Sequence, residues 1–272
     1  MNPVTKITAL PALTSDLLQA SGLLIDNILA MLWQRLGIRT LLSRCGFSKH
    51  SGRPINEVID ILSLWLWLKK ESIGMFTREG LLQGMGKDVL YETLNRQDLN
   101  WRKHHKQVAR KALSSYQAKD SRFVVDDTVV RRFGYKMPGI SSHFDHTLGR
   151  HVMGQQVVTL GLASEEGLVL LDSELFISQV KAQPLEQPFQ DGRSIVAKRY
   201  RIVQNQSKPE MVASMIHRNV RAGIDASYLL ADVWYDSKAM IRLSQETALL
   251  AILRMKKNRM KYRVSEYAAG SM

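Results

Sequence analysis

The sequence predicts an α+β chain whose second part has α/β character. A helical N-terminal region, residues 1–118, precedes a mixed sheet flanked by helices, residues 119–272. Three observations carry this. Before about residue 118, apolar residues recur at three- and four-residue steps, the period of an amphipathic helix. From Ser121 they gather instead into short runs rich in β-branched residues. Those runs follow one another as strand, strand, strand, helix, strand, helix, strand. That order implies an antiparallel start and a parallel finish.

In the first region, Leu17, Leu18, Leu23, Leu24, Ile28, Leu29, Leu32 and Leu36 form one stripe. A second helix is expected from Pro54 through Val58, Ile59 and Leu62 to Lys70, with shorter pieces over Thr77–Gly84 and Lys87–Asn95. Trp101 to Tyr116 reads as a strongly basic helix carrying Arg102, Lys103, Lys106, Arg110 and Lys111. Lys87 to Arg96, after the Gly84-Met85-Gly86 turn, has the place of a recognition helix. In the second region, Phe123–Val125, His151–Leu162 and Gly167–Ile177 read as strands, and 179–208 as a long loop. Pro209 then opens a helix that Gly223 stops. Tyr228–Ala231 reads as a buried strand, Ser237–Thr247 as a helix and Leu249–Leu253 as the last strand. This is the element order of an RNase H-like core, expected here to be incomplete at the C-terminus.

The 272 residues are 45% hydrophobic and 23% charged, a composition that excludes wholesale disorder. Lys and Arg number 38 against 25 Asp and Glu, a net charge of +13, which favours a polyanionic partner. The apolar run Ile61–Leu68 is shorter than the roughly 20 residues a membrane span requires, and it meets Lys69 and Lys70. Membrane insertion is thus not expected, nor is a signal peptide. A cytoplasmic, nucleoid-associated protein is the expectation, with nucleic acid as partner. The single cysteine, Cys45, excludes an internal disulfide and a cysteine-only zinc site. There is no phosphate-binding Gly-rich loop, His-Glu-x-x-His motif or Gly-x-Ser-x-Gly elbow.

Chemistry-bearing residues stand where the strands end. Asp126 and Asp127 follow Val124-Val125, and Asp232 follows Leu229-Leu230-Ala231. Ligands of open α/β sheets gather beyond the carboxyl ends of strands. If the two strands are neighbours, Asp126 and Asp232 supply hard oxygen ligands for Mg²⁺ (or Mn²⁺), suited to phosphodiester chemistry. Aspartate is also favoured in turns and caps, so the pattern alone leaves that plainer role open. Asp172, Asp191 and Asp236 are expected to be solvated turn or cap residues on the same logic.

Four segments narrow the reading: Val124-Val125-Asp126-Asp127-Thr128, Phe144-Asp145-His146-Thr147, His151-Val152-Met153-Gly154-Gln155-Gln156, and Leu230-Ala231-Asp232-Val233-Trp234-Tyr235-Asp236-Ser237. They resemble bacterial insertion-sequence transposases of the DDE type, which join an RNase H-like catalytic domain to an N-terminal helical DNA-binding region. The resemblance implies Asp126, in an Asp-x-Thr pattern, as the first catalytic acid, with Asp127 as the alternative register. It implies Asp232, at the end of the fourth strand, as the second. Both acids would hold the metal. It further implies double-stranded DNA as partner, both the element's terminal inverted repeats and target DNA. A homo-oligomer, or pairing with an intact transposase, goes with that.

The family's third acid is a Glu on a late helix, in a Tyr-x-x-Arg-x-x-x-Glu-x-x-x-x-x-x-Lys motif that the residues after Asp232 lack. Glu266 is the alternative, and Glu246 reads as a surface residue. The expectation is a chain that stops before its third acid: a truncated transposase, or a non-catalytic DNA-binding remnant that regulates the intact enzyme. Two basic segments are the candidate phosphate contacts. One is the Trp101 helix; the other is Arg254, Lys256, Lys257, Arg259 and Lys261 after the last strand.

Overall fold

The structure is a computed structural model that describes residues 31–48, 51–67, 72–78, 85–114, 120–145, 147–182, 185–186 and 188–254. Most of the first apolar stripe, as well as Lys256, Lys257, Arg259, Lys261 and Glu266, lies outside the described residues. The chain divides into two compact units, Met1–Ser114 and Ser115–Met272.

The first unit is helical: α1 (Ile38–Arg44), α2 (Ile55–Trp67), α3 (Ile73–Arg78), α4 (Lys87–Asn95) and α5 (Trp101–Leu113). Its core is Leu42, Val58, Leu62, Phe76, Leu90 and Leu99, drawn from the periodic apolar positions of α1 to α4 and the turn before α5. Asp60 of α2 accepts from the Trp33 indole and pairs with Arg39 at 3.1 Å. Asn100 caps α5 by accepting from the Lys103 amide at 3.0 Å, which satisfies one of the orphan N–H groups at the helix start. Among the described residues no helix is long and apolar enough to cross a membrane.

The second unit is an RNase H-like mixed sheet with helices packed on it. Among the described residues the strands are β1 (Arg122–Arg131), β2 (Ser141–Asp145), β3 (Arg150–Ser164), β4 (Gly167–Phe176), β5 (Tyr228–Ala231) and β6 (Leu250–Leu253). β1 runs antiparallel to β3, and β3 antiparallel to β4; β1 is parallel to β5, and β5 to β6. The sheet order is therefore β4-β3-β1-β5-β6. β2 pairs with β3 at Arg150–Gly154, beyond the stretch of that strand that β4 covers. Helices α6 (Ile195–Val203) and α7 (Lys208–Val220) lie against β4, and α7 also against β3. Helix α8 (Lys238–Thr247) packs on α7 and β6.

Four local expectations are corrected. β1 is not a short strand ending at Val125 but continues to Arg131, because β3 is long enough to pair with all ten of its residues. β2 is an added strand, so Asp232 follows the fifth strand rather than the fourth. The stretch 179–208 contains α6, whose Ala197, Tyr200 and Val203 are buried at three-residue spacing behind a Ser194 cap. Asp172 is not a solvated turn residue: it is 1% exposed in the middle of β4.

That burial is compensated. Arg218 of α7 donates through Nε (3.1 Å) and Nη2 (2.9 Å) to Asp172 Oδ2. Arg199 of α6 donates to Glu174 Oε1 at 2.7 Å and to the Ser173 carbonyl. Buried carboxylates are tolerated only when paired and hydrogen-bonded in this way. The network fastens both helices to β4.

Candidate active site

The parallel pairing of β1 with β5 runs from Arg122↔Tyr228 to Val125↔Ala231 and stops. The next residue on each chain is an aspartate, Asp126 and Asp232. Strands in a sheet lie about 4.8 Å apart, so these two residues are lateral neighbours. The pleat then sorts the side chains. Phe123 and Val125 are buried, and Asp127 follows them on that face; Val124, Asp126 and Thr128 point to the other. Leu230 pairs with Val124, so Asp232 continues on the face of Asp126.

Asp126 and Asp232 are both exposed. Asp126 Oδ1 accepts only a local bond, from the Asp127 amide at 2.8 Å. Asp232 stands at the N-cap of a single 3₁₀ turn, Val233–Tyr235, yet its side chain makes no capping bond. The plainer role of a capping aspartate therefore does not account for it. Among the described residues no cation pairs with either carboxylate. Asp127 differs: it is ion-paired with Lys208, and Gln156 donates to it at 3.1 Å.

The 3₁₀ turn sends its two aromatic rings apart. Tyr235 is 1% exposed and Trp234 64%. The Tyr235 hydroxyl is pushed well above the usual tyrosine range, first by burial and then by the charges of Asp127, Asp126 and Asp232. Asp127 is close enough to act on that hydroxyl, yet among the described residues no acceptor stands in good hydrogen-bonding geometry to it. The Tyr235 hydroxyl thus feels the charge of all three carboxylates, although Asp127 lies on the opposite face of β1 from Asp126. Arg254, the residue after β6, stands at the end of β5, its backbone N–H donating to Ala231 O at 3.4 Å.

The other anticipated residues are placed as follows. In the first unit, Lys103, Arg110 and Lys111 of α5 are exposed, while Arg102 and Lys106 are half-buried. Helix α4 buries Leu90 and Thr93 and exposes Tyr91 and Leu94. Glu246 is a surface residue that pairs with His217 at 3.4 Å. Gly154 and Gln155 are structural: the Gln155 amide donates to Pro138 O at 2.8 Å and accepts from Arg132 at 3.0 Å. Among the described residues no group of three or more His, Cys, Asp or Glu side chains is arranged to hold a metal ion.

Sequence reasoning did not single out Lys208 or Gln156. A signal for Lys208 was present in Ser207-Lys208-Pro209-Glu210, a capping box that puts the lysine in the first turn of α7. What it touches is 81 residues away in the chain and was not legible.

No curated protein matches the chain. A family model described as DDE superfamily endonuclease matches residues 79–270, a span that includes Asp126, Asp127, Lys208 and Asp232. With more than half of its length matched and an RNase H-like sheet beneath the carboxylates, the chain belongs to the DDE superfamily endonucleases.

Proposed function

We propose that this chain is an insertion-sequence transposase of the DDE type. Family membership carries a nuclease or transposase type of function with DNA as substrate. The finer reading rests on one observation: two exposed carboxylates, Asp126 and Asp232, stand side by side where the parallel pairing of β1 and β5 ends.

Those two side chains fit a hard divalent cation, Mg²⁺ or Mn²⁺, because their oxygens are hard donors and no cation among the described residues occupies them. When bound, such an ion activates the attacking oxygen and stabilises the leaving 3′ oxygen of a phosphodiester. Water attack breaks the P–O3′ bond at the element's end and leaves a 3′ hydroxyl and a 5′ phosphate. The freed hydroxyl then attacks a phosphodiester of target DNA, forming a new P–O3′ bond as the target's P–O3′ bond breaks and its 3′ oxygen leaves as a hydroxyl. Asp126 and Asp232 would hold that ion at the end of the β1–β5 pairing. The basic helix α5 and Arg254, with Lys256, Lys257, Arg259 and Lys261 after it, hold the DNA backbone.

The test is Mg²⁺- or Mn²⁺-dependent nicking of supercoiled DNA carrying the cognate ends. Nicking lost in both Asp126→Ala and Asp232→Ala supports the assignment, and a further loss in Glu266→Ala identifies the third acid. Specific end binding with no nicking under any metal would replace it with the alternative, a DNA-binding regulator of an intact transposase. Nicking that survives both aspartate substitutions would place the chemistry elsewhere.

A further inference from the structure

β1 carries the chain past Asp126 to Arg131, about 17 Å of strand at about 3.4 Å per residue. The connection that follows, residues 132–140, leads to β2. Both its ends are tied down. The Arg132 backbone N–H donates to Met153 O at 2.9 Å, and its Nε donates to Gln155 Oε1 at 3.0 Å. The Gln155 amide donates in turn to Pro138 O at 2.8 Å, and Ile140 is buried.

Between these anchors two aromatic rings stand in solvent. Phe133 is 90% exposed and Tyr135 65%. Gly134 turns the backbone between them at φ +99°, a conformation that residues with a side chain rarely adopt. A loop anchored at both ends that still buries neither ring has the character of a binding surface. The charge around it is of one sign. Arg131, Arg132 and Lys136 are exposed, and no acidic residue occurs from Thr128 to Phe144. A second copy of this chain would set like charges against each other here. DNA offers both complements: phosphates for the cations and base faces for the rings. In an intact duplex those faces are stacked on one another, so only unpaired bases present them.

We propose that Phe133 and Tyr135 stack the bases of an unpaired DNA strand that passes the Asp126–Asp232 edge, while Arg131 and Lys136 hold its phosphates. The inference rests on the DNA-cleaving reading above and names the form of DNA that the site takes. At about 3.4 Å per nucleotide or more along a strand, the loop begins no more than roughly five nucleotides from a phosphodiester at Asp126.

The experiment measures affinity of the full chain by fluorescence anisotropy for oligothymidylate and for a fully paired duplex of the same length, with circular dichroism checking each variant's fold. Phe133→Ala and Tyr135→Ala should each weaken oligothymidylate binding about tenfold, the scale of one base on one ring, and leave duplex binding unchanged. Phe133→Trp should keep the parent affinity. The ring variants should keep the parent's slope of log affinity against log salt, whereas Arg131→Gln with Lys136→Gln should flatten it for the single strand. A fluorescent base analogue within the oligothymidylate should be quenched by the parent and not by the double variant Phe133→Ala/Tyr135→Ala. Equal losses on both DNAs would make the loop a backbone contact and overturn the proposal. Unchanged single-strand affinity in the folded double variant would overturn it as well. So would loss of a parent dimer in sedimentation velocity with DNA affinity intact, which would assign the rings to a second copy. A parent that binds neither DNA sinks this inference together with the DNA-cleaving reading. Ring-dependent single-strand binding without metal-dependent nicking upholds the loop's role and removes the cleavage reading alone.

Discussion

Val125 and Ala231 are the last residues paired in parallel between β1 and β5, and each is followed directly by an aspartate. The two strands then part company, since β5 ends at Ala231 while β1 runs on to Arg131 against β3. The result is a step in the sheet edge where both carboxylates meet solvent without a ladder partner between them. Asp126→Asn and Asp232→Asn remove charge from exposed sites, so each should change unfolding free energy by no more than about 0.5 kcal/mol. Nicking activity should fall by about a thousandfold or more in each. Urea titration beside the nicking assay separates the two effects; a large loss of stability would mean that these carboxylates hold the fold.

Arg218 is the fastening between α7 and β4. Replacing it with Ala leaves Asp172, 1% exposed, without its forked partner. Breaking a buried pair on one side costs about 3 kcal/mol or more. A reduced urea midpoint of that size is expected, with partial recovery when Asp172→Asn is added because the buried negative charge is then gone.

Gly154 sits where β3 meets both β1 and β2. A Cβ there would come within 2.5 Å of Val129 Cγ1 and 2.9 Å of the Val130 carbonyl oxygen. The carbonyl belongs to the sheet backbone and cannot swing aside. Gly154→Ala should therefore destabilise the chain by about 1–3 kcal/mol, the usual cost of overpacking, as read from urea unfolding. A neutral effect would show that the strands separate easily at this point.

The α5 charges should show themselves in salt dependence. Neutralising Arg102, Lys103, Lys106, Arg110 and Lys111 to Gln should weaken DNA binding and flatten the plot of log affinity against log salt. Each lost phosphate contact on duplex DNA lowers the slope by about 0.9. Fluorescence anisotropy across a salt series measures it, and an unchanged slope would remove α5 from the contact surface.

His104 gives the fold a pH dependence. Burial first, and the neighbouring His105 second, hold its pKa below the ordinary 6.5. Its Nε2 atom is buried with no hydrogen-bond partner among the described residues. The unfolded chain therefore takes up the proton more readily than the folded one. Stability from this group is complete above about pH 6.5 and declines as pH falls toward the folded-state pKa. Urea midpoints at pH 7.5 and 5.5 should differ in that direction, and His104→Phe should shrink the difference.

Local chemistry settled much of this protein in advance. Periodicity located α4 at Lys87–Asn95 and α5 from Trp101. The β-branched runs fixed the antiparallel start and parallel finish of the sheet, because hydrophobic period and turn residues are properties of adjacent positions. The aspartates at the ends of two apolar runs were legible for the same reason. β2 was not, since Ser141–Asp145 alternates weakly and becomes a strand only by pairing with the exposed edge of β3. Nor was α6, whose buried stripe is hidden among Pro and Gln neighbours and declares itself only against β4. The inequality of Asp126 and Asp127 lay deeper still. Two identical side chains, adjacent in sequence, take opposite faces of one strand. Only the tertiary structure brings Lys208 and Gln156 to one of them and leaves the other open. Burial and ion pairing join residues far apart in the chain, and no local pattern encodes them.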